Sequence, residues 1–462
     1  MTRSSPAATA MRQSRLDRGA ALARLALRIG GRYAARSPRL VFASVDRRKD
    51  LRHELALRSA EEVAEELGAM KGALMKLGQM ASYIDEDMPP TFRSAMARLQ
   101  HRAPPMTPAL ATSVILDELG EAPERVFSTW DSIPFAAASI GQVHRAITKD
   151  GRAVAVKVQY PGIARSITSD LRNVALLRRL MATVFPGLDT RTLIDELGER
   201  LRDELDYSLE ADNQELFATY YDGHPVIHVP HVVRELSTER VLTSELVAGS
   251  GFDELQRWHQ REQDLAAETI YRFVFRSLYR LHAFNGDPHP GNYLFHGRGR
   301  VSFLDFGLTK HFTDQDLAPL VDAVRFIVFE KDGSAFRDAI ERAGFLRRGA
   351  PVSTQVVVDR FGQFYGTVLK DAPMTITPAY ASAIVRRFFD ARGPLAPYSD
   401  VPRAYVIMQR INLGLYAVLG SLNATANWRR IAEEIWPFRN GPPSTPIGEA
   451  EARWAQQRMA VA

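Results

Sequence analysis

Two short segments in the second half of the chain place oxygen-bearing side chains at a spacing suited to phosphoryl transfer. The first reads Asn285-Gly-Asp-Pro-His-Pro-Gly-Asn292 and contains Asp287, and the second reads Asp305-Phe-Gly. Such a pair supplies one carboxylate for the phosphoryl acceptor and two oxygen ligands for magnesium. Each segment alone is ordinary, because D-F-G occurs by chance and Pro-rich loops are common. Together they predict Asp287 as the catalytic base and Asn292 and Asp305 as metal ligands.

A lysine on a predicted β-strand is the next candidate. The segment Ala153-Val-Ala-Val-Lys-Val158 alternates, so its valines face one side of a strand and Lys157 faces the other. In nucleotide-binding sites of this type, a lysine at this position of the strand binds the α- and β-phosphates. A lone strand lysine is usually a solvated edge charge. The position of Lys157 upstream of both acidic segments favours the catalytic interpretation.

A loop rich in alanine precedes this strand, where nucleotide-binding folds of this kind carry glycines. Glycines there let backbone N–H groups approach phosphates, and alanines restrict that approach. In isolation the segment would be a plain small-residue loop, but its position predicts nucleotide contacts. The candidate residues are Ala136, Ala137, Ala138, Ser139, Ile140, Gly141, Gln142 and Val143.

The surrounding patterns indicate which elements position these residues. Alternation before and after Asp150-Gly151 predicts a β-hairpin. We also predict strands at Val229–Leu236 and Arg240–Leu246, a helix over Asp264–Phe284, and a second hairpin around residues 296–300. Helical patterning then dominates from about residue 314 to residue 437.

This order predicts an α+β class, with the two-lobed fold of protein kinases, an N-terminal helical extension and a mostly helical C-terminal lobe. The predicted boundaries assign residues 1–58 to a basic arm, 59–125 to the helical extension and 126–247 to the N-lobe. Residues 248–440 form the predicted C-lobe, and 441–462 a flexible tail. Glu245 and Val247 fall at the predicted hinge between the lobes, where backbone groups would hydrogen-bond adenine.

Composition narrows the class of protein. The 462 residues are 45% hydrophobic and 24% charged, which is ordinary for a globular chain. There is no cysteine, so disulfides and thiolate metal sites are excluded. No apolar run approaches the roughly 18 to 20 residues that would cross a bilayer. We therefore expect no transmembrane segment and a cytoplasmic location, on the mitochondrial matrix side in a eukaryote, with peripheral contact at the membrane surface left open. We also expect no nucleic-acid partner.

The net charge of +5 is concentrated near the start of the chain. Residues 1–40 contain nine arginines and one acidic residue, Asp17. Three interpretations stay open: a basic amphipathic helix in peripheral contact with an anionic membrane surface, a disordered solvated arm, or a transit peptide.

Several motifs occur in an order that resembles the UbiB-type atypical kinase family, which is linked to ubiquinone biosynthesis. The Ala-rich loop and the Lys157 strand are two of them. Lys76-Leu-Gly-Gln79 is similar to the family's K-x-G-Q motif, and Glu204-Leu-Asp206 is similar to its E-x-D motif. The resemblance extends from about residue 60 to residue 310. One departure is Asn285, where many kinases have histidine; we expect its amide to hydrogen-bond neighbouring backbone.

The resemblance implies roles for further residues. Lys157 would pair with a helix glutamate, with Glu210 as the first choice and Glu204 as the second. Lys76 and Gln79 would fold over the active site, held by Glu204 and Asp206. That extension would fill the place where a peptide substrate binds.

The resemblance also implies the function. We expect an ATP-binding, magnesium-dependent atypical kinase or ATPase that supports isoprenoid-quinone biosynthesis, with isoprenoid lipids or quinone-biosynthesis proteins as partners. The covered substrate site and the Ala-rich loop argue against ordinary phosphorylation of other proteins. Two alternatives stay open: a protein or small-molecule kinase, and a non-catalytic nucleotide-binding scaffold of a lipid-biosynthetic complex.

Overall fold

The fold was analysed in a computed structural model that describes residues 106–138, 140–164, 205–285, 288–389, 395–399, 402, 405 and 414–461. The chain divides into two units. The first unit comprises residues up to Leu209 together with Val233–Glu245, and the second comprises Glu210–Val232 and Leu246–Ala462. Residues 210–232, predicted as part of the N-lobe, therefore group with the second unit.

Strands and helices are numbered here in chain order. The strands are β1 (Thr129–Trp130), β2 (Ala136–Ala137), β3 (Gly141–Ile147), β4 (Ala153–Gln159), β5 (Ile227–His228), β6 (Val241–Glu245), β7 (Ala283–Asn285), β8 (Tyr293–Phe295), β9 (Val301–Phe303), β10 (Thr309–His311), β11 (Met374–Thr375) and β12 (Thr425–Ala426). The helices are α1 (Pro108–Leu119), α2 (Pro123–Val126), α3 (Tyr207–Tyr220), α4 (Phe252–Leu255), α5 (Gln260–Arg276), α6 (Asp314–Val324), α7 (Gly333–Arg342), α8 (Thr354–Phe361), α9 (Pro378–Phe389), α10 (Trp428–Ile435) and α11 (Pro446–Val461).

The first unit contains an antiparallel sheet in the order β1-β3-β4-β6, with β2 also paired to β3. The predicted hairpin is confirmed as β3 and β4, and Gly151 takes the left-handed backbone conformation that its turn requires, at φ 90°. Val154, Val156 and Val158 are buried on one face of β4, as the alternation predicts.

The second unit contains three small strand groups beside its helices, one of which pairs β11 with β12. β7 pairs with β10, and β8 pairs with β9, which in turn pairs in parallel with β5. The hairpin around residues 296–300 is therefore confirmed. The core of this unit surrounds α5, where Phe273 stacks on Phe303 with ring centroids 3.6 Å apart. Together the two units confirm the predicted α+β, kinase-like class.

Two predicted elements differ in the structure. Val229–Leu236 is not a continuous strand: Ile227–His228 before it pairs with β9, and the segment itself holds one bridge residue, Val232, and a 3-10 turn at Arg234–Leu236. Pro230 has no N–H to donate to a sheet. The helix predicted over Asp264–Phe284 ends earlier, because a wide helical turn at Ser277–Leu281 leads into strand β7. Within the described ranges, no helix combines the length and the apolar character needed to span a membrane.

The C-terminal segment is a packed helix, so the prediction of a flexible tail over 441–462 is wrong. Trp454 of α11 is only 7% exposed, and its indole N–H donates to the Asp222 carbonyl oxygen at 2.9 Å. Glu451 of α11 contacts Arg272 of α5 at 2.7 Å. These partners lie far away in sequence, which is why composition near the C-terminus did not reveal the helix.

Arg272 is the centre of a buried charge cluster, which we call the Arg272 cluster: Arg272, Glu268, Glu434 and Glu451. The guanidinium group is fully buried, and its nitrogens lie 2.8, 2.9 and 2.7 Å from oxygens of those three glutamates. Because the carboxylates come from α5, from α10 and from α11, the cluster joins three helices of the second unit.

The Arg272 cluster makes the free energy of unfolding depend on pH in the acid range. Burial alone would raise the pKa of Glu451, but the opposing hydrogen bond from His224 and the charges of Arg276 and Arg272 hold that pKa at about 2. A depressed carboxyl pKa contributes stability above about 4.5 that is lost as the pH falls toward 2. We expect the free energy of unfolding to fall by about 3 kcal/mol through this one group over that window.

The measurement is urea unfolding at pH 5.5 and at the lowest pH that leaves the chain folded, for the native chain and for Glu451→Gln. The variant has no carboxyl to titrate at this position, so its loss of stability with acid should be smaller. Equal acid dependence of the two proteins would contradict the assignment.

Candidate functional site

The first unit holds Lys157 in the middle of its sheet. Lys157 lies opposite Val143 on β3 and opposite Leu242 on β6, and it is half-buried on the face away from the valines. Its Nζ lies 4.8 Å from the centre of the Tyr207 ring, at the start of α3. A cation at this distance from an aromatic face is attracted to it. Tyr207 was not a candidate from the sequence, because only folding brings it to Lys157.

The Ala-rich loop forms a strand and a tight turn. Ala136 and Ala137 pair as β2 with Val143 and Gln142 of β3, and the Ala138 N–H donates to the Gly141 carbonyl oxygen at 3.0 Å. Ala136 and Ala137 are exposed. The Ala-rich segment thus pairs with the strand that precedes the Lys157 strand, and its nucleotide contacts stay a prediction. Ser139 lies outside the described residues.

Gly141 is required by packing within the first unit. A Cβ at this position would overlap the Val158 carbonyl oxygen and lie 2.9 Å from the Tyr207 hydroxyl. Gln142, another nucleotide candidate, is 1% exposed, and its side chain accepts from the Met106 N–H at 2.8 Å. Both residues have structural roles that their sequence positions did not indicate.

Asp206 caps helix α3. Its carboxylate accepts a hydrogen bond from the Ser208 N–H at 2.8 Å, as residues before a helix commonly do. Its predicted gating partners Lys76 and Gln79, as well as Glu204, lie outside the described residues. Gating by Asp206 therefore stays a prediction, and the structure adds a local role for the same carboxylate.

The second unit brings the two acidic segments of the sequence together. The chain from β7 to β8 carries Asn292, and the chain from β9 to β10 carries Asp305. Because β7 pairs with β10 and β8 pairs with β9, both connections run between the same two strand pairs. The Leu304 N–H donates to the Asn292 carbonyl oxygen at 3.0 Å, so the backbones meet directly before Asp305.

Asn285 supports Asp305 from β7. Its amide nitrogen donates to the Asp305 carbonyl oxygen at 2.7 Å, which confirms the expected backbone contact. The Asp305 carboxylate in turn accepts from the Gly307 N–H at 3.1 Å. These bonds fix the backbone and one carboxylate oxygen of Asp305. Asp287, the predicted base, lies outside the described residues.

One face of α3 packs against the Asp305-Phe-Gly segment within the second unit. Glu210 and Asp305 each place a carboxylate oxygen near Gly307, at 3.6 and 3.5 Å from the position of an added Cβ. Asn213 donates to the Phe306 carbonyl oxygen at 3.4 Å, and the Phe217 ring lies 4.9 Å from the Phe306 ring. Asn213 and Phe217 were missed from the sequence, although their spacing from Glu210 follows one helical face.

The polar atoms near Asp305 are oxygens of the kind that magnesium prefers. Asn292 and Asp305 offer one amide and one carboxylate, and magnesium in phosphoryl-transfer sites is usually held by one or two carboxylates plus phosphate oxygens and water. Across the described ranges, no group of three or more His, Asp or Glu residues could hold a metal ion. The donor set thus fits a metal that arrives with a phosphorylated ligand.

Lys157 and Glu210, the predicted ion pair, belong to different units, and their pairing stays a prediction. Glu210 is 5% exposed, so its carboxylate is buried in the second unit. Glu245 is the last residue of β6 and is exposed, and Val247 follows in the second unit. Their hinge role also stays a prediction.

Comparison with known proteins supports the family that the sequence motifs resemble. The chain is 34% identical over 276 residues to a probable serine/threonine-protein kinase, abkA, of Dictyostelium discoideum, covering 56% of this chain and 48% of that protein. It is 33% identical over 269 residues to the mitochondrial atypical kinase COQ8B of Rattus norvegicus, covering 58% and 51%. The chain therefore spans about half the length of the curated relatives it matches.

A solved structure is similar over a larger share of this chain than those two relatives are. The complex of Rv3197 with erythromycin, from Mycobacterium tuberculosis, aligns with a TM-score of 0.62 and 31% identity, covering 85% of this chain and all of that chain. The family described as the ABC1 atypical kinase-like domain matches residues 98–338. This match confirms the UbiB-type resemblance, and because it covers more than half of the chain, the chain belongs to the family of ABC1 atypical kinase-like domains.

Proposed function

We propose that the chain binds ATP with magnesium and transfers or hydrolyses its terminal phosphoryl group. The observation that carries the proposal is the arrangement around Asp305 in the second unit. There the backbones of Asn292 and Leu304 are hydrogen-bonded, Asn285 holds the Asp305 carbonyl oxygen, and the carboxylates of Asp305 and Glu210 lie beside Gly307.

The carboxylates of Glu210 and Asp305 place oxygen atoms and negative charge beside Gly307. Such oxygen atoms suit a divalent cation that binds together with a phosphorylated ligand. Magnesium, held by Asn292 and Asp305, would neutralise phosphate charge here. The family's kinase-like character supports ATP as the ligand.

The other predicted residues have defined tasks in this proposal. Lys157 contacts the α- and β-phosphates and pairs with Glu210, while its cation rests against Tyr207 in the first unit. Asp287 orients the attacking group. The Ala-rich loop covers the phosphates, and backbone groups near Glu245 and Val247 bind adenine.

We also propose that the activity supports isoprenoid-quinone biosynthesis rather than ordinary phosphorylation of other proteins. The support is the similarity to proteins named COQ8 and the K-x-G-Q and E-x-D motifs. In this account Lys76 and Gln79 cover the acceptor side, anchored by Glu204 and Asp206. Isoprenoid lipids or quinone-biosynthesis proteins are the proposed partners, and peripheral membrane contact by residues 1–40 remains part of the proposal.

Magnesium-dependent ATP turnover by the purified chain, with and without lipid vesicles, tests this function. We expect turnover that stops when magnesium is removed and rises with vesicles that contain an isoprenoid quinone. Failure to bind nucleotide would overturn the proposal. Transfer of the phosphoryl group to an added protein or small molecule would favour a conventional kinase, and binding without turnover would favour a scaffold.

A further inference from the structure

The second unit contains a partly open cavity of about 180 Å³, separate from the residues discussed above. We call it the tyrosine cavity, after four of its lining residues: Tyr271, Tyr279, Tyr365 and Tyr416. Helices α5 to α9 contribute to its wall, together with Trp436 directly after α10. Every lining residue belongs to the second unit.

The wall is apolar apart from hydroxyl groups. The lining residues in the described ranges are aromatic or aliphatic, with Thr367 as the one non-aromatic polar residue among them. The Tyr416 hydroxyl is 3.1 Å from the Thr367 hydroxyl. Across the part of the chain that the structure describes, no hydrogen bond involves the hydroxyls of Tyr271, Tyr279 or Tyr365. Three phenolic groups therefore retain hydrogen-bonding capacity in an apolar space.

These hydroxyls are donors at neutral pH. Burial raises the pKa of Tyr279, Tyr365 and Tyr416, and the neighbouring tyrosines raise the pKa of Tyr279 and Tyr365 further. A protonated phenol can donate one hydrogen bond to an oxygen acceptor. Among the residues that the structure describes, no charged side chain lines the cavity, so an ion would lose hydration against this part of the wall without compensation.

The volume limits the size of an occupant. An engineered apolar cavity of roughly 150 Å³ stays dry and binds benzene, whereas pockets for drug-sized ligands hold about 300–1,000 Å³. A space of about 180 Å³ accommodates one ring with a short substituent. It cannot hold a long chain in full.

We propose that the tyrosine cavity binds a neutral molecule of single-ring size that carries an oxygen acceptor, such as a carbonyl group. The apolar wall contacts the ring, and a tyrosine hydroxyl donates to the oxygen. This site is independent of the nucleotide chemistry proposed above, and its test requires no turnover.

Fluorine NMR of three probes tests the site with the full chain. The probes are para-fluoroacetophenone, para-fluoroethylbenzene and para-fluorobenzoate, which share a ring but differ in acceptor and charge. The ketone should bind about fivefold more tightly than the hydrocarbon, the gain expected from one net hydrogen bond. Benzoate should not bind. Equal affinity for ketone and hydrocarbon, or no binding of the ketone, would overturn the proposal.

Substitutions of lining residues test whether the probes bind in the tyrosine cavity. The double substitution Tyr279→Phe and Tyr365→Phe should remove most of the ketone's advantage while leaving hydrocarbon binding within about twofold. The matched control is Tyr398→Phe, which lies outside the cavity and should change neither affinity. Val324→Phe fills the space and should abolish binding of both probes; thermal unfolding checks that it remains folded. Unchanged ketone binding in the double variant would contradict the assignment of Tyr279 and Tyr365 as donors, and unchanged ketone binding in Val324→Phe as well would place the probe elsewhere and overturn the proposal.

Discussion

Asp305→Asn is expected to lower magnesium-dependent ATP turnover by about 10²–10³-fold, the loss typical of removing one electrostatic contact to the reacting phosphoryl group. A neutral amide is a weaker magnesium ligand than a carboxylate. The substitution keeps the local backbone, because an amide oxygen can still accept from the Gly307 N–H, now 3.1 Å from Asp305 Oδ1. The Asn285 bond to the Asp305 carbonyl oxygen is also retained.

Steady-state turnover at saturating magnesium is the measurement, with nucleotide binding in the absence of magnesium as a second readout. Asp338→Asn is the matched control, since Asp338 is exposed on α7 in the same unit. The control should retain turnover within about twofold. If Asp305→Asn turned over ATP at the native rate, Asp305 would not be a metal ligand, even if nucleotide binding itself were confirmed.

Arg272→Met is expected to lower the free energy of unfolding by about 3–5 kcal/mol, the cost of removing one partner from a buried ion cluster. Arg272 is fully buried among Glu268, Glu434 and Glu451. Methionine fills part of the volume but leaves three carboxylates without their shared cation. Because α5, α10 and α11 meet at this guanidinium group, the C-terminal helix should loosen first.

Urea unfolding of the variant measures this loss, and protease cleavage within α11 reports on local loosening. Arg261→Met, at an exposed position of the same helix, is the control and should change stability by less than about 0.5 kcal/mol. Adding Glu451→Gln to Arg272→Met should recover part of the stability if uncompensated charge causes the loss. A change below about 1 kcal/mol in Arg272→Met would contradict the structural role assigned to the cluster.

Local patterns in the sequence predicted the elements that form between residues close together in the chain. The β3–β4 hairpin follows from alternation around Asp150-Gly151, and the β8–β9 hairpin follows from the turn near residue 297. The backbone contact of Asn285 was also predicted, because an amide can hydrogen-bond neighbouring backbone where many kinases have histidine, and its acceptor is the Asp305 carbonyl oxygen. These features depend on residues within one or two elements.

Predicted elements were wrong where contacts between residues far apart in sequence decide the secondary structure. Asp264–Phe284 has helical spacing throughout, and we predicted one helix there. In the structure, Ala283–Asn285 instead pairs with β10, a strand that follows the Asp305 segment in sequence. The C-terminal segment appeared too polar and Pro-rich to pack. Its helix is held by Arg272 and by the Asp222 carbonyl oxygen, which are more than a hundred residues away in sequence.

The sequence by itself determined the family and the α+β class, and it supplied the candidate chemical groups, because those depend on residue types at fixed spacing. Only the tertiary structure decided what surrounds them. Packing of α3 places Glu210 beside Asp305, and strand approach requires glycine at position 141. Contacts between residues far apart in sequence arise when the chain buries its apolar faces, and local spacing does not encode which faces meet.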